Sequence, residues 1–344
     1  MTSRRAFLAG GTASALAMTL AACSQEKAPT TPTVTESAAP QSALTPEKLA
    51  EVLKRIKTGM DAADAKKDPE LLKGFLENPA ARFRQAEYAL ATATKEDSHI
   101  QVLPATTSQT SSAGVTLDFP RVAINVTEEP SENVAPFLMT MRQNTARDNF
   151  QLWAWVQLFP GAEVPPIDNL LQGSKQVVAD TEGLVATPQA VLESYIDALN
   201  NPDGENGKAF ADDQLRQQVA AQRGVDFGGL GEVKVTAAAG SDGLLGLHVA
   251  DGGAIAVTTL TYTVVFKRTV DGATLNVHSD IGALLGENTA VVGTVTATYE
   301  AMVAFFIPVQ GGDGKAVALG ADTVLAKVER DDNQTPAPTA TPTG

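Results

Sequence analysis

Three small groups of residues in this 344-residue sequence have types and spacings that could carry chemistry. The first is His278-Ser279-Asp280. On a strand, residues two apart share a face, so the His278 imidazole and the Asp280 carboxylate could hydrogen-bond and orient the ring for proton transfer as a general acid or base. On an exposed strand or loop the same three residues would do no such work. The second group is Trp153 and Trp155, the only two tryptophans. They either fill a core, since aromatic rings bury large areas, or form an exposed pair that binds a partner, a glycan or an apolar ligand. The third is the single cysteine, Cys23, which has no second thiol to pair with and follows Leu20-Ala21-Ala22.

The other two histidines read as bland. His248 lies between Leu247 and Val249 as a satisfied surface or core residue, and His99 follows the solvated connection Lys95-Glu96-Asp97-Ser98. With histidines scattered and no cysteine beside them, neither a metal nor a cofactor is expected. Gly228-Gly229-Leu230-Gly231 lacks the lysine and the strand-to-helix setting of a phosphate loop, and no nucleophile elbow, zinc-binding helix or calcium loop is present. No residue stands out as catalytic beyond the weak pair His278 and Asp280.

Residues 1–22 have the three parts of an export signal: a basic start at Arg4 and Arg5, an apolar middle and a small-residue cleavage region. Leu20-Ala21-Ala22-Cys23 resembles the lipobox of bacterial lipoproteins, in which the cysteine thiol is joined to diacylglycerol and becomes the mature N-terminus. That resemblance implies an acylated Cys23 seated in the bilayer. Ser3-Arg4-Arg5-Ala6-Phe7-Leu8 resembles the twin-arginine export motif, and the weakly apolar middle with Gly10, Gly11, Thr12 and Ser14 suits that route. A membrane-spanning reading is disfavoured because the apolar stretch is short, rich in small residues and has no stop-transfer charges after it.

With Cys23 given to lipid, the mature chain has no thiol for a disulfide, so stability must come from a packed core. An apolar fraction of 43% suffices for that. The formal charge is −14, and losing Arg4 and Arg5 makes it −16. Nucleic acid is thereby excluded as a partner held by bulk charge.

Residues 23–44, Thr/Pro-rich after the lipidated cysteine, read as an extended tether, and residues 331–344 as a disordered tail of similar composition. Between them one order of elements recurs. Thr45-Pro46-Glu47 caps and opens a helix whose stripe is Leu49, Val52, Leu53, Ile56 and Met60. More helix is expected at 70–76 and 80–90, then strands at 122–126, 137–142 and 150–158. Thr187-Pro188 opens a second helix with Val191, Leu192, Tyr195, Ile196 and Leu199, and a shorter one follows around 210–221. Strands are expected at 255–266, from Val291 to Val309, and at 317–328; Gly228 to Gly231 and Gly240 to Gly246 read as mobile loops.

The expected fold class is α+β: two tandem domains, 45–182 and 183–330, each with leading helices packed on a curved antiparallel sheet. The order resembles the cone-shaped nuclear transport factor 2 fold, with the cystatin-like fold close by. The whole arrangement resembles a family of actinobacterial lipoproteins that carries a domain of unknown function. The resemblance implies a location and a fold, and no catalytic residues. The expectation is a lipid-anchored extracytoplasmic protein that binds an envelope protein or ligand. Two alternatives stand beside it: an envelope enzyme of the isomerase, dehydratase or hydrolase type with a pocket in the second domain, and a structural spacer.

Overall fold

The computed structural model describes residues 41–286, 288–312 and 314–333. Cys23, the export-signal residues Arg4, Arg5, Phe7 and Leu8, and Leu20, Ala21 and Ala22 lie outside the described residues. No described helix is long and apolar enough to cross a membrane. The described residues form one compact unit of mixed α and antiparallel β structure.

The first half opens with α1 (Pro46–Asp64), capped by the Thr45 hydroxyl accepting from the Lys48 amide, with Leu49, Leu53, Ile56 and Met60 buried on one stripe. The apolar run at 70–76 yields only a 3-10 turn, Pro69–Leu72. After it, α2 (Ala80–Thr94) ends at Lys95 in the left-handed conformation. Four strands follow as an antiparallel meander: β1 (Thr110–Ala113), β2 (Arg121–Val126), β3 (Phe137–Gln143) and β4 (Gln151–Gln157).

After β5 (Gln176–Val177), the second half repeats the plan with α3 (Pro188–Asn200), α4 (Glu205–Ala209) and α5 (Gln214–Arg223). The α3 cap is the Thr187 hydroxyl accepting from the Ala190 amide, the same device as at Thr45. The strands are β6 (Gly231–His248), β7 (Ala254–Arg268), β10 (Thr294–Ile307) and β11 (Val317–Asp331), in the order β11-β10-β7-β6-β5. Between β7 and β10 lies a small excursion, β8 (Leu275–Asn276), α6 (Ser279–Leu285) and β9 (Ala290–Val291), in which β8 pairs with β9.

The longest described strand, β6, runs through Gly240 to Gly246, a stretch expected to be a loop, whereas Gly228 to Leu230 do form a turn ahead of it. The glycines serve close approach there: a Cβ on Gly240 would sit 2.0 Å from Thr259 Oγ1, and one on Gly246 would sit 2.2 Å from the Ile255 carbonyl oxygen. A bulge between Ala239 and Leu244, with Gly243 at φ +81°, carries the strand past these contacts. β10 begins at Thr294 because the Gly293 backbone packs against that of Asp331 and Asp332.

Two separate tandem domains do not stand out, because β6, β7, β10 and β11 serve both halves. Along β10, Val303, Phe305 and Ile307 join the core under α3 and α5, while Met302 and Ala304 join the core containing α1, α2 and β2 to β4. Period-two alternation thus buries both faces of one strand. The four-stranded sheet is also tied to the larger one at two edges. Leu158 bridges Gly320, with the Phe159 amide donating to the Leu319 carbonyl, and Gly114 bridges Ser174. The free edge of β6 is plugged at Ala237, whose amide and carbonyl both bond the Asn200 side-chain amide.

Candidate functional site

The residues singled out around His278 sit in the excursion between β7 and β10, on a helix rather than a strand. Leu275, Val277 and Ile281 are drawn into the second core, and Gly282 lets α6 turn tightly under the Val277 carbonyl, which a Cβ would approach to 2.9 Å. His278 is the residue before the first turn, Ser279 is left-handed at φ 57°, and Asp280 lies in the first turn. His278 and Asp280 therefore do not share a strand face. The imidazole beside Asp280 belongs to His99, whose Nε2 lies 3.9 Å from the Asp280 carboxylate and equally far from that of Glu96. His99 ends the 3-10 turn Asp97–His99 that follows α2. No sequence pattern could have joined residues so far apart in the chain.

His278, Ser279 and Asp280 form one wall of an open cleft of about 400 Å³, with Asn276, Tyr299 and the rings of Phe227 and Phe266 as its other surfaces. The two phenylalanines meet edge to face at 5.6 Å, and Tyr299 stacks on Tyr262 at 4.7 Å with the rings 4° from parallel. Burial, assisted by the Asp280 charge, pushes the Tyr299 phenol up to about 12, so it stays protonated and able to donate. Burial likewise raises the Tyr262 phenol, whose hydroxyl has no hydrogen-bond partner. The cleft thus offers a carboxylate, a phenol and imidazole nitrogens above an aromatic floor. A 3.9 Å imidazole-to-carboxylate separation exceeds a hydrogen bond, so no proton-transfer pair is assembled.

Another cleft, of about 320 Å³, is lined by Lys48, Glu51, Arg55, Arg121 and Asp148, where Lys48 pairs with Glu51 at 2.7 Å and Arg55 donates to the carbonyls of Gly74 and Phe150. Among the described residues, a groove of about 860 Å³ beside the Phe159–Ala162 loop has Glu129 as its one ionisable lining residue. A neighbouring one of about 440 Å³ includes Asp212 and Asp213. Asp213 already caps α5 through the Arg216 amide and accepts the Tyr195 hydroxyl at 2.9 Å. Among the described residues, no group of three or more His, Cys, Asp or Glu side chains is placed to hold a metal ion.

Trp153 and Trp155 are fully buried, which excludes an exposed binding pair. Trp155 meets Phe83 edge to face at 5.4 Å and lies 5.3 Å under the guanidinium of Arg84. Arg84, itself fully buried, bonds Glu87 at 2.7 Å and approaches Asp64 at 3.5 Å. Burial pushes the Glu87 carboxyl up to about 7 against the opposing pull of Arg84. This charged group braces α2 inside the core. His248 is locally satisfied, with Nδ1 3.2 Å from the Gly253 carbonyl oxygen.

Residues 40–328 match the protein family described as a domain of unknown function (DUF8094). No curated protein and no solved structure matches the chain.

Proposed function

The chain belongs to the DUF8094 family, and on that footing we propose that it is a membrane-anchored extracytoplasmic lipoprotein acting as a non-catalytic binding module at the cell envelope. Export and anchoring rest on Arg4, Arg5, Phe7 and Leu8 and on Leu20-Ala21-Ala22-Cys23. A single acyl chain holds a protein only marginally, whereas the diacylglyceryl group implied by the lipobox supplies two. The repeated order of a Thr-Pro-capped helix followed by an antiparallel meander supports reading the halves as two copies of one plan, similar to the nuclear transport factor 2 fold.

The observation that carries the binding reading is the filling of the space between helices and sheet. Tyr195 meets both Phe210 and Phe305 edge to face at 5.2 Å, and Tyr262 stacks on Tyr299. An enzyme of the cone-shaped kind needs an open interior there; here the working surface is the outer one, and the α6 cleft is the part of it that sets a carboxylate beside aromatic residues. The runner-up, an envelope enzyme, draws on the approach of His99 to Asp280 at that cleft.

Replacing the imidazole that approaches Asp280 without lining the cleft, His99→Gln, separates the two readings in a strain whose envelope phenotype depends on the gene. The binding reading expects full complementation at unchanged protein level. Loss of complementation with the protein present and folded would move the assignment to acid–base catalysis.

A further inference from the structure

Resting on the reading of the α6 cleft as a binding site, we propose that it takes an organic cation, a substituted ammonium group on a small body. Three observations converge on that chemistry. The first is charge. Among the described residues, Asp280 is the only carboxylate lining the cleft, and no lysine or arginine lines it. Among the described residues, no lysine or arginine comes within ion-pair distance of Asp280, and the nearest basic side chain is the imidazole of His99 at 3.9 Å. The carboxylate is 46% exposed, reachable from the cleft and not neutralised by a guanidinium or ammonium of the protein itself.

The second is the floor. Phe227, Phe266 and Tyr299 all line the cleft; Phe266 and Tyr299 are buried and Phe227 is half-buried, so the Phe227 ring is the one most open to a ligand, and an aromatic ring attracts a cation through the negative potential of its face. A carboxylate beside aromatic rings suits an ammonium group that is too bulky or too weakly hydrated to be held by hydrogen bonds alone. An anion would meet Asp280 with no compensating cation. A neutral sugar would donate hydroxyls to the carboxylate but leave its full charge without a counter-charge.

The third is size and field. About 400 Å³ is enough for a small organic molecule, and a chain of formal charge −14 draws cations toward every such opening.

The test uses choline and its neutral isostere 3,3-dimethylbutan-1-ol, titrated into the full-length, detergent-solubilised protein at pH 8 and followed by ligand-observed NMR. The expected result is saturable binding of choline, little or none of the neutral isostere, and about fivefold or greater weakening by Asp280→Asn. His99→Gln, which removes the competing imidazole and leaves the carboxylate, should keep the binding. Equal binding of the two probes, an unchanged affinity in folded Asp280→Asn, or loss of binding in His99→Gln would each overturn the proposal. Fatty-acid labelling of the same preparation separates the two levels. Labelled protein that ignores choline leaves the lipoprotein reading standing and removes the cation site; unlabelled protein that binds choline does the reverse.

Discussion

Asp322 is a carboxylate placed where folding disfavours its charge, and removing that charge should stabilise the protein in one pH range only. The residue lies on β11 and accepts the backbone N–H of Gln157 at 2.9 Å, across the seam where β4 meets β11. Burial raises its carboxyl to about 8 from an ordinary 3.8; the nearby Glu87 adds to the rise, while Arg84 and the Gln157 amide oppose it. A raised acid pKa means the folded chain holds a proton that the unfolded chain has released. Stability is then greatest below pH 4 and declines as pH rises toward 8. A shift of that size corresponds to a ceiling of about 6 kcal/mol at about 1.4 kcal/mol per unit. Relaxation and solvent at the partly exposed strand reduce the usable part to about 2 kcal/mol.

The perturbation is Asp322→Asn, which keeps an oxygen to accept from Gln157 and cannot ionise. Urea unfolding followed by the fluorescence of Trp153 and Trp155, both buried close to this seam, reads the effect. The variant should match the parent near pH 4 and exceed it by about 2 kcal/mol at pH 8. A variant no more stable at pH 8 than the parent, or destabilised equally across the range, would refute the reasoning that the buried charge is the cost.

Two other substitutions probe the ties that hold β6 in place. Arg82 on α2 spans the carboxylates of Asp242 on β6 and Glu300 on β10, with nitrogen–oxygen distances of 2.8 to 3.1 Å. Arg82→Met should cost about 1–3 kcal/mol in urea unfolding, the lower end reflecting the solvent-facing side of the pair, and adding Asp242→Asn with Glu300→Gln should recover part of it. Asn200→Ala removes two bonds to the β6 edge, and should cost about 1–3 kcal/mol while hydrogen exchange at the Ala237 amide accelerates. Unchanged exchange there would mean that Asn200 does not guard the edge.

What could be read from the sequence was what is decided locally. Thr45 and Thr187 announce their helices because capping involves residues three apart, and β7, β10 and β11 show through period-two runs. β6 was hidden because Gly240 and Gly246 are there for backbone approach to neighbouring residues, a tertiary need that looks like loop composition in one dimension. The sharing of one sheet by two cores was hidden too, since β10 reads as one buried face until Met302 and Ala304 meet the first half. At the candidate site, His278 and Asp280 were legible as chemistry-bearing residues, whereas their helical setting followed from core-seeking Val277 and Ile281. His99 offered no local signal, because its relation to Asp280 exists only after α2 and α6 are brought together.

The most direct test of the proposed anchoring and location is the mass of the mature N-terminal peptide from protein purified out of the membrane fraction of its native host. The account predicts a peptide that begins at Cys23 and carries a diacylglyceryl group on its sulfur, and an unacylated protein released from the membrane when Cys23→Ala is made. A mature chain beginning elsewhere, or an unmodified Cys23 thiol on membrane-associated protein, would contradict it.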